Sequence, residues 1–354
     1  MSRLSGIAIR AVAAAVPHEV ARTQDYDYLT PEDRQRFQKA TGISQRRISP
    51  QNQYASDLCA AAAERVINHL GWDRASIGAL ILITQTSDQP IPATSIVLQD
   101  KLGLPQTCAT FDLNLGCSAY PYGLAVIGSF MQSLGISRGL LLMGDVSSRV
   151  CAKHDKSAWP LFGDAGSATA LELDESANPI YLDLMSDGSG RDAIIVPSGG
   201  LASRVPPPNE GPVSSEVGSD GISRRPDNLI LRGADIFSFA ISKVPPSIKR
   251  VIESGARAVD DFDFLVLHQA NKMINDTIAK KTGFSQDKSL STLADYGNTS
   301  SASIPLTMCA NTDCFQVDRL VMTCGFGVGL SWASASLTIA ANTVLPIVET
   351  DNVY

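Results

Sequence analysis

Phe111-Asp112-Leu113-Asn114-Leu115-Gly116-Cys117-Ser118-Ala119 is the stretch that most constrains the fold, because an apolar segment ends in a corner of small residues that carries a cysteine. The mostly apolar segment that follows, Tyr120 to Gly135, is typical of a buried helix. Strand, tight turn, nucleophile and helix together form a nucleophile elbow. A thiol at the start of a helix lies near unsatisfied N–H groups, so we expect the pKa of Cys117 to be lowered. The alternative is an inert core cysteine, because cysteine is among the most buried residue types.

Short apolar runs alternate with longer helical patterns along the whole sequence. The predicted strands are a first strand within Met1–Pro17, then Ile77–Ile83, Leu140–Met143, Phe264–Leu267 and Leu320–Thr323. The predicted helices include Tyr54–Leu70 and Asn271–Thr282. This alternation predicts an α/β protein in which helices cover mostly parallel sheets.

The two halves of the sequence place their elements in a similar way. Three pairs of positions correspond, namely Thr84 with His268, Cys117 with Asn298, and Gly144 with Gly325. The members of each pair are separated by about 180 residues, which is typical of a duplicated unit. We therefore predict an N-terminal half over residues 1–178, which carries the cysteine, and a C-terminal half over residues 179–354, which carries the histidine and the asparagine.

The segment 198–228 interrupts this pattern. It is rich in Pro, Gly and Ser and includes Pro206-Pro207-Pro208. It is longer and more polar than a simple connector, which predicts a surface insertion within the C-terminal half. Two interpretations remain open: a lid over a site, or a solvent-exposed excursion without a role.

Composition excludes several classes of protein. The chain has 354 residues and a formal net charge of −7, which argues against a nucleic-acid binder. Its seven cysteines form no Cys-x-x-Cys pair, which predicts reduced thiols and a cytoplasmic location. Cys151 and His154 have no further ligands nearby in the sequence, so we predict no metal site. No apolar run approaches the ~20 residues of a membrane span, so we expect no membrane partner.

Three further segments carry groups that a cysteine nucleophile needs. His268 follows the apolar run Phe264–Leu267, and ligands of α/β folds bind where strands end. Asn298 follows Gly297 at a corner from which its amide can point into a cleft. The glycine turn, Cys324-Gly325-Phe326-Gly327-Val328-Gly329, lets backbone N–H groups approach an oxyanion closely. Each segment also has an interpretation without a catalytic role. His268 is then a hydrogen-bonded structural histidine, Asn298 is an ordinary turn residue, and the glycine segment is only a tight turn.

These segments occur in the order and spacing of β-ketoacyl-acyl-carrier-protein synthase III, so the chain resembles that family of thiolase-like condensing enzymes, in their Cys-His-Asn branch. The segments that carry the resemblance are Cys117, His268-Gln269-Ala270-Asn271, Gly297-Asn298-Thr299-Ser300, the glycine turn, Thr41-Gly42-Ile43 with Arg46, Phe162-Gly163-Asp164-Ala165-Gly166-Ser167, and Ser186-Asp187-Gly188-Ser189. Together they cover nearly the whole chain. The resemblance implies a layered αβαβα fold of two similar halves and a homodimer.

The resemblance also implies a role for each site residue. Cys117 accepts an acyl group from a thioester, and His268 and Asn298 stabilise a malonyl thioester as carbon dioxide leaves. The backbone N–H groups of Cys117 and Val328 hold the oxyanion. Asn271 supports the catalytic residues rather than the substrate. The implied substrates are thioesters of CoA or of acyl-carrier protein, the implied partner is the carrier protein, and no cofactor is needed.

Several positions depart from the family pattern. The candidate residues for binding the substrate or the carrier are Arg36, Lys156, Ile91, Lys272, Lys280 and Lys281. Arg36 and Lys156 replace a Trp–Arg pair that surrounds the CoA adenine in the family. Ile91 replaces a large aromatic residue that the partner subunit contributes. Met273 takes the usual place of a basic residue, next to Lys272, and Val328 stands where glycine is usual. Lys280 and Lys281 either bind the acidic carrier protein or form a solvated helix face.

The sequence therefore predicts an acyltransferase that condenses an acyl starter with malonyl-acyl-carrier-protein, with loss of carbon dioxide, and so initiates fatty acid synthesis. The alternative is a related enzyme of secondary-metabolite or surface-lipid synthesis that uses an unusual starter or only transfers acyl groups. A degradative thiolase needs a histidine where Asn298 stands. A non-catalytic protein with this fold should lack Cys117, His268 or Asn298, and all three are present.

Overall fold

A computed structural model describes residues 2–201, 215–218 and 221–354. Its strands are β1 (Ser2–Leu4), β2 (Ile7–Val16), β3 (Val20–Arg22), β4 (Gln45–Arg47), β5 (Ala79–Ile83), β6 (Ala109–Leu113), β7 (Arg138–Asp145), β8 (Ala165–Leu173), β9 (Ile180–Ser186), β10 (Ile194–Ile195), β11 (Glu216–Val217), β12 (Ser223–Arg224), β13 (Ile230–Leu231), β14 (Phe264–Leu267), β15 (Arg319–Gly327), β16 (Ser331–Ile339) and β17 (Val348–Glu349). The α-helices are α1 (Pro31–Thr41), α2 (Ala55–Leu70), α3 (Thr94–Lys101), α4 (Ala119–Leu134), α5 (Gly233–Ser254), α6 (Lys272–Thr282), α7 (Leu293–Tyr296) and α8 (Ser303–Cys309). Short 3-10 helices include Ser147–Val150 and Ser300–Ala302.

The predicted strands and helices are confirmed, with small shifts at their ends. The strand predicted within Met1–Pro17 is β2, and β7 and β15 extend beyond their predicted apolar runs. Helices α2 and α6 begin one residue later than predicted, because Tyr54 and Asn271 act as their N-caps. A cap residue has non-helical backbone angles and supplies an acceptor to the first turn, so the helical pattern in a sequence often starts one residue too early.

Two large sheets repeat one topology. The first has the order β17-β2-β8-β7-β5-β6, and the second has the order β1-β9-β16-β15-β14. Within β2-β8-β7-β5 of the first sheet, the first two strand pairings are antiparallel and the third is parallel. The strands β9-β16-β15-β14 of the second sheet show the same sequence of pairings. This repetition confirms the two similar halves. Strands β1 and β17 each join the sheet of the other half, and the boundary at residue 178, between β8 and β9, stays a prediction.

The layers follow from which face each element buries. Helices α4 and α8 pack between the two sheets in a central core. Helices α2 and α3 cover the outer face of the first sheet, and α5 and α6 cover the outer face of the second. The order helix, sheet, helix, sheet, helix is the predicted αβαβα arrangement.

Strand β5 explains why the central strands read as continuous apolar runs. Ile81 and Ile83 face the central core, whereas Leu80 and Leu82 face the outer core under α2. A strand buried on both faces has no solvent side on which polar residues are tolerated. Helix α4 packs closely because Gly123 leaves room: a Cβ there would lie 2.7 Å from Cδ1 of Ile83.

The predicted insertion at 198–228 is only partly described. Residues 202–214 and 219–220, which include Pro206-Pro207-Pro208, lie outside the described residues. Strands β11 and β12 form a small antiparallel pair, and the Arg224 guanidinium donates to Asp155 at 2.7 Å. Leu229, just beyond the insertion, is buried in an apolar cluster with Phe162. Among the described residues, no helix combines the length and the hydropathy that crossing a bilayer requires.

Candidate active site

Cys117 lies on the predicted elbow between β6 and α4. The helix begins at Ala119 with Ser118 as its N-cap, and Cys117 is buried. The Ser118 hydroxyl lies 2.7 Å from the Ser331 hydroxyl on β16, which fixes the elbow to the second half of the molecule. The corner must be built from small residues because the second sheet approaches it directly: a Cβ at Gly325 would lie 2.4 Å from the carbonyl oxygen of Cys117.

The expectation of a lowered thiol pKa is wrong. Burial, and then the charge of Asp145, raise the pKa of Cys117 to about 12, while the N–H groups of Val328 and Cys117 itself and the side chain of Ser300 act in the opposite direction. Desolvation disfavours the charged thiolate more strongly than these donors stabilise it. The resting site therefore holds a neutral thiol.

His268 follows β14 directly, as predicted, and is 1% exposed. Its Nδ1 lies 2.7 Å from the hydroxyl of Ser303 at the start of α8, and its ring meets Phe326 edge to face at 5.5 Å. Burial lowers the pKa of His268 to about 3, so the imidazole is neutral at physiological pH. A hydroxyl can both donate and accept, so Ser303 can pair with either neutral tautomer.

Asn298 lies at the corner predicted from Gly297, and both of its backbone groups are held. Its N–H donates to the carbonyl of Leu161 at 2.9 Å, and its carbonyl accepts from Gly163 at 3.0 Å. Its side-chain Oδ1 accepts from the N–H of Ser300 at 2.9 Å. Because that oxygen is bonded within the corner, the amide presents its Nδ2 hydrogens, which are donors, to the cavity that Asn298 lines.

The predicted glycine turn joins β15 to β16. A Cβ at Gly327 would lie 2.8 Å from both Sγ and Cβ of Cys117, so only glycine leaves the thiol its space. The N–H groups of Val328 and Cys117 both approach the sulfur. A carbonyl carbon bonded to that sulfur would place its oxygen near the same two donors, which is the geometry that an oxyanion hole requires.

One cavity of about 350 Å³ brings these groups together. Its lining residues include Cys117, His268, Asn298, Asn271 and Val328, along with apolar side chains from β10, β13, α5 and α6. Asn271 lines the cavity and also caps α6, where its Oδ1 accepts from the N–H of Ile274 at 2.9 Å. A buried apolar pocket with a few convergent polar groups is typical of a small-molecule site.

None of the six predicted residues for substrate or carrier binding lines this cavity. Arg36 is exposed on α1, and Lys156 pairs with Asp33 of the same helix at 3.1 Å. Lys272 pairs with Asp276 at 2.7 Å, and Lys281 donates to the carbonyl of Ile241 at 3.1 Å, both on the surface. The remaining two are also on the surface: Lys280 is exposed on α6, and Ile91 is 84% exposed in a loop.

Sequence reasoning missed Asp145 at the end of β7. Its carboxylate is fully buried and accepts from Gln85 N–H at 2.8 Å and from Ser301 Oγ at 2.7 Å. It thereby joins the end of β5 to the segment after Asn298, across the two halves. An acidic residue directly after a predicted buried strand was a signal, but its partner lies 156 residues away in the chain. Among the residues that the structure describes, no group of three potential metal ligands occurs.

The sequence matches two family models that fall on these elements. One, described as 3-oxoacyl-[acyl-carrier-protein (ACP)] synthase III, covers residues 111–188, and the other, described as the C terminal of that enzyme, covers residues 252–339. Proteins called beta-ketoacyl-[acyl-carrier-protein] synthase III are similar over most of their length. The protein from Clostridium acetobutylicum is 30% identical over 94% of this chain and 99% of its own, and the one from Streptococcus pneumoniae is 32% identical over 94% and 98%.

Solved structures give the same result. A 3-oxoacyl-(acyl-carrier protein) synthase from Burkholderia xenovorans superposes with a TM-score of 0.92 and 34% identity, covering 99% of this chain and 98% of its own. A β-ketoacyl-[acyl-carrier-protein] synthase III from Thermus thermophilus superposes with a TM-score of 0.80 and 27% identity, covering 93% and 98%. Both similarities extend over nearly the whole of this chain.

Proposed function

The chain belongs to the 3-oxoacyl-[acyl-carrier-protein] synthase III family, and from that premise we propose that it condenses an acyl starter with malonyl-acyl-carrier-protein to give a 3-oxoacyl-acyl-carrier-protein. The observation that carries the proposal is a single cavity lined by Cys117, His268 and Asn298, with two backbone N–H groups near the sulfur. This reaction is the first condensation of fatty acid synthesis, and it makes the protein an acyltransferase.

In the first step, Cys117 attacks the carbonyl of the starter thioester. The sulfur–carbon bond to the enzyme forms, the bond to the carrier sulfur breaks, and the thiol proton ends on the departing carrier sulfur. Burial keeps Cys117 as a thiol, so the proton has to leave as the new bond forms. Burial also disfavours a charged imidazole at His268, so the proton passes to the departing carrier sulfur as that bond breaks, and His268 stays neutral for the second step.

In the second step, His268 and Asn298 donate hydrogen bonds to the thioester oxygen of the malonyl group. Loss of carbon dioxide leaves an enolate, whose negative charge these donors stabilise. The enolate carbon attacks the carbonyl of the acyl-Cys117 and forms the new carbon–carbon bond. The bond from that carbonyl carbon to the Cys117 sulfur breaks, and Cys117 takes up a proton from solvent as the 3-oxoacyl carrier departs. A neutral imidazole suits this role because it donates a hydrogen bond without a charge that would bind the carboxylate as tightly as the enolate.

The backbone N–H groups of Cys117 and Val328 are proposed to stabilise the tetrahedral oxyanion in both steps. Losing one such donor typically raises a barrier by about 3 kcal/mol. The donor at residue 328 is main chain, so the valine side chain does not remove it. Gly327 keeps the approach to Cys117 open. Asn271 supports the site by fixing the start of α6.

The substrates are proposed to arrive as thioesters of acyl-carrier protein or of CoA, without a further cofactor, in the cytoplasm. Two groups of exposed cations are the candidate contacts. Lys272, Lys280 and Lys281 lie on α6, whose first turn reaches the cavity at Ile274, and they suit an acidic carrier protein. Arg36 lies on α1 and Lys156 pairs with Asp33 of that helix, and these two cations suit the phosphates of a CoA molecule.

A homodimer is also part of the proposal. Strand β6 is the last strand of the first sheet and pairs only with β5 among the described residues, so its outer edge is open. All five of its residues are partly exposed, Phe111 and Leu113 among them. An open apolar edge is suited to pairing with a second copy. Ile91, 84% exposed in the loop before α3, is the residue proposed to reach the partner's site.

Intact-mass measurement of the acylated protein tests the first step. The protein is incubated with acetyl, butyryl and longer acyl thioesters of CoA and of carrier protein. We expect one acyl adduct, absent in Cys117→Ala and retained in Cys314→Ala, because Cys314 is a half-exposed thiol outside the cavity. No adduct with any donor, or an adduct that persists in Cys117→Ala, contradicts the proposal.

A further inference from the structure

The cavity is polar on one side, and the proposed reaction does not use those polar groups. Gln85, Asn114 and Ser147 line it. They follow β5, β6 and β7, which are adjacent parallel strands in the first sheet, so the three side chains meet where the carboxyl ends of those strands meet. Aliphatic residues of β10, β13, α5 and α6 line the cavity elsewhere.

The hydrogen-bonding capacity of these three side chains is largely unused. Gln85 Nε2 donates to Asn114 Oδ1 at 3.2 Å, which leaves Gln85 Oε1 as an acceptor and Asn114 Nδ2 as a donor. Ser147 is 6% exposed, and among the described residues no protein group hydrogen-bonds its hydroxyl. Polar groups that a ligand desolvates without pairing cost binding free energy, so an array of this kind favours a ligand that pairs with it.

The array lies on the acyl side of the nucleophile. In the proposed condensation His268 and Asn298 hold the enolate, so the carrier arm is assigned to the part of the cavity that these two residues line. The acyl chain on Cys117 has to point away from the attacking carbon. Gln85 Oε1 lies next to the nucleophile corner, 2.4 Å from where a Cβ on Gly116 would be, and Val328 Cγ1 is 3.1 Å from the same point, so the acyl chain is assigned to this part of the cavity.

The array is uncharged. Gln85, Asn114 and Ser147 carry no charge, and among the described residues that line the cavity there is no lysine, arginine, aspartate or glutamate. Asp145, which does not line the cavity, accepts a hydrogen bond from the backbone N–H of Gln85 at 2.8 Å. A negatively charged starter would find no cation in the cavity and would be repelled by Asp145.

From these observations we infer that the starter is an acyl group that carries an uncharged hydrogen-bonding oxygen, such as a hydroxyl or a keto group, and that Gln85, Asn114 and Ser147 select it. The inference rests on the proposed function, because it assigns the acyl side of the cavity from the direction of condensation. In the single chain Gln85 and Asn114 are exposed beside β6, at the edge where the second copy is proposed to pair. Pairing would close this side and desolvate the array.

The test compares matched four-carbon donors: butyryl, 3-hydroxybutyryl and succinyl thioesters, each on CoA and on carrier protein. The rate of adduct formation on Cys117 is followed by intact mass. We expect 3-hydroxybutyryl to react at least about tenfold faster than butyryl, because a site built to pair with a hydroxyl rejects an analogue that lacks it. Succinyl should be the slowest donor.

Variants assign the selectivity. In Gln85→Leu, Asn114→Leu and Ser147→Ala, the ratio of the 3-hydroxybutyryl rate to the butyryl rate should fall toward one. Gln51 is exposed and outside the cavity, so Gln51→Leu should keep the wild-type ratio. The ratio is measured within each protein, so a general loss of activity does not affect it. Light scattering on each variant reports the oligomeric state.

Each of the other outcomes contradicts either this inference or the proposed function. A wild-type preference for butyryl or succinyl, or a ratio unchanged in all three variants, overturns the inference and leaves the proposed condensation intact. If Gln85→Leu changes the oligomer mass seen by light scattering but not the ratio of acylation rates, Gln85 belongs to the dimer contact. That outcome also overturns the inference. Absence of any Cys117 adduct overturns the proposed function itself.

Discussion

The neutral state of His268 makes a quantitative prediction for stability against pH. Burial lowers its pKa from 6.5 to about 3, so below pH 6.5 the unfolded chain binds a proton that the folded chain does not. The free energy of unfolding therefore falls as the pH falls from 6.5 toward 3. The loss from this one residue is about 2 kcal/mol at pH 5 and approaches about 5 kcal/mol near pH 3.

The assay is urea unfolding from pH 8 to pH 5, followed by the fluorescence of the three tryptophans at one protein concentration. Wild type is compared with His268→Gln, which has no proton to bind at this position. Wild type should lose about 2 kcal/mol more than the variant between pH 8 and pH 5. His69→Gln, at an exposed site, should follow wild type.

Parallel profiles for wild type and His268→Gln would refute the reasoning. That result would mean that the pKa of His268 in the folded protein stays near its ordinary value of 6.5. Burial would then not be what keeps the imidazole neutral, and the decarboxylation step would run through a mixture of neutral and cationic histidine.

The raised pKa of Cys117 predicts that its alkylation by iodoacetamide accelerates about tenfold per pH unit from pH 7 to pH 10; a plateau near pH 7 by intact mass would show a stabilised thiolate. Gly327→Ala places a Cβ 2.8 Å from the sulfur of Cys117. Its acylation rate should fall by at least about 100-fold, whereas Gly200→Ala, in open space, should behave as wild type. Val328→Pro removes one oxyanion donor and should lower kcat by about 100-fold or more, whereas Val328→Gly keeps the donor and should keep the activity; equal activity of the two would exclude this N–H.

Local patterns in the sequence were enough to predict an α/β protein whose helices cover its sheets, because strands buried on both faces and helices leave distinct periodicities. The αβαβα layering was implied only by the resemblance to a known family. The corners at Cys117, His268 and Asn298 were also predictable from local sequence, since the first two come after apolar strand patterns and Asn298 follows Gly297. Their meeting in one cavity required the second sheet to stack behind the first, and only the resemblance to a known family supplied that.

The thiol pKa and the role of Asp145 were not predictable from local sequence. A helix start is visible in the sequence and suggests an acidified thiol, but the desolvation of Cys117 depends on how closely Gly325 and Gly327 approach it. Asp145 binds Ser301, a residue of the other half. Contacts of this kind depend on the relative placement of the two sheets, which no local pattern specifies.

The measurement that tests the central claim most directly starts from protein already acylated on Cys117. Malonyl-carrier protein is added, and the masses of both proteins are followed together. The account predicts that the enzyme loses its acyl mass as the carrier gains the starter acyl group and loses carbon dioxide, and that Asn298→Ala retains the acyl mass. An acyl-enzyme that stays unchanged in wild type, or that releases only the free acid, would contradict the assignment of this cavity to condensation.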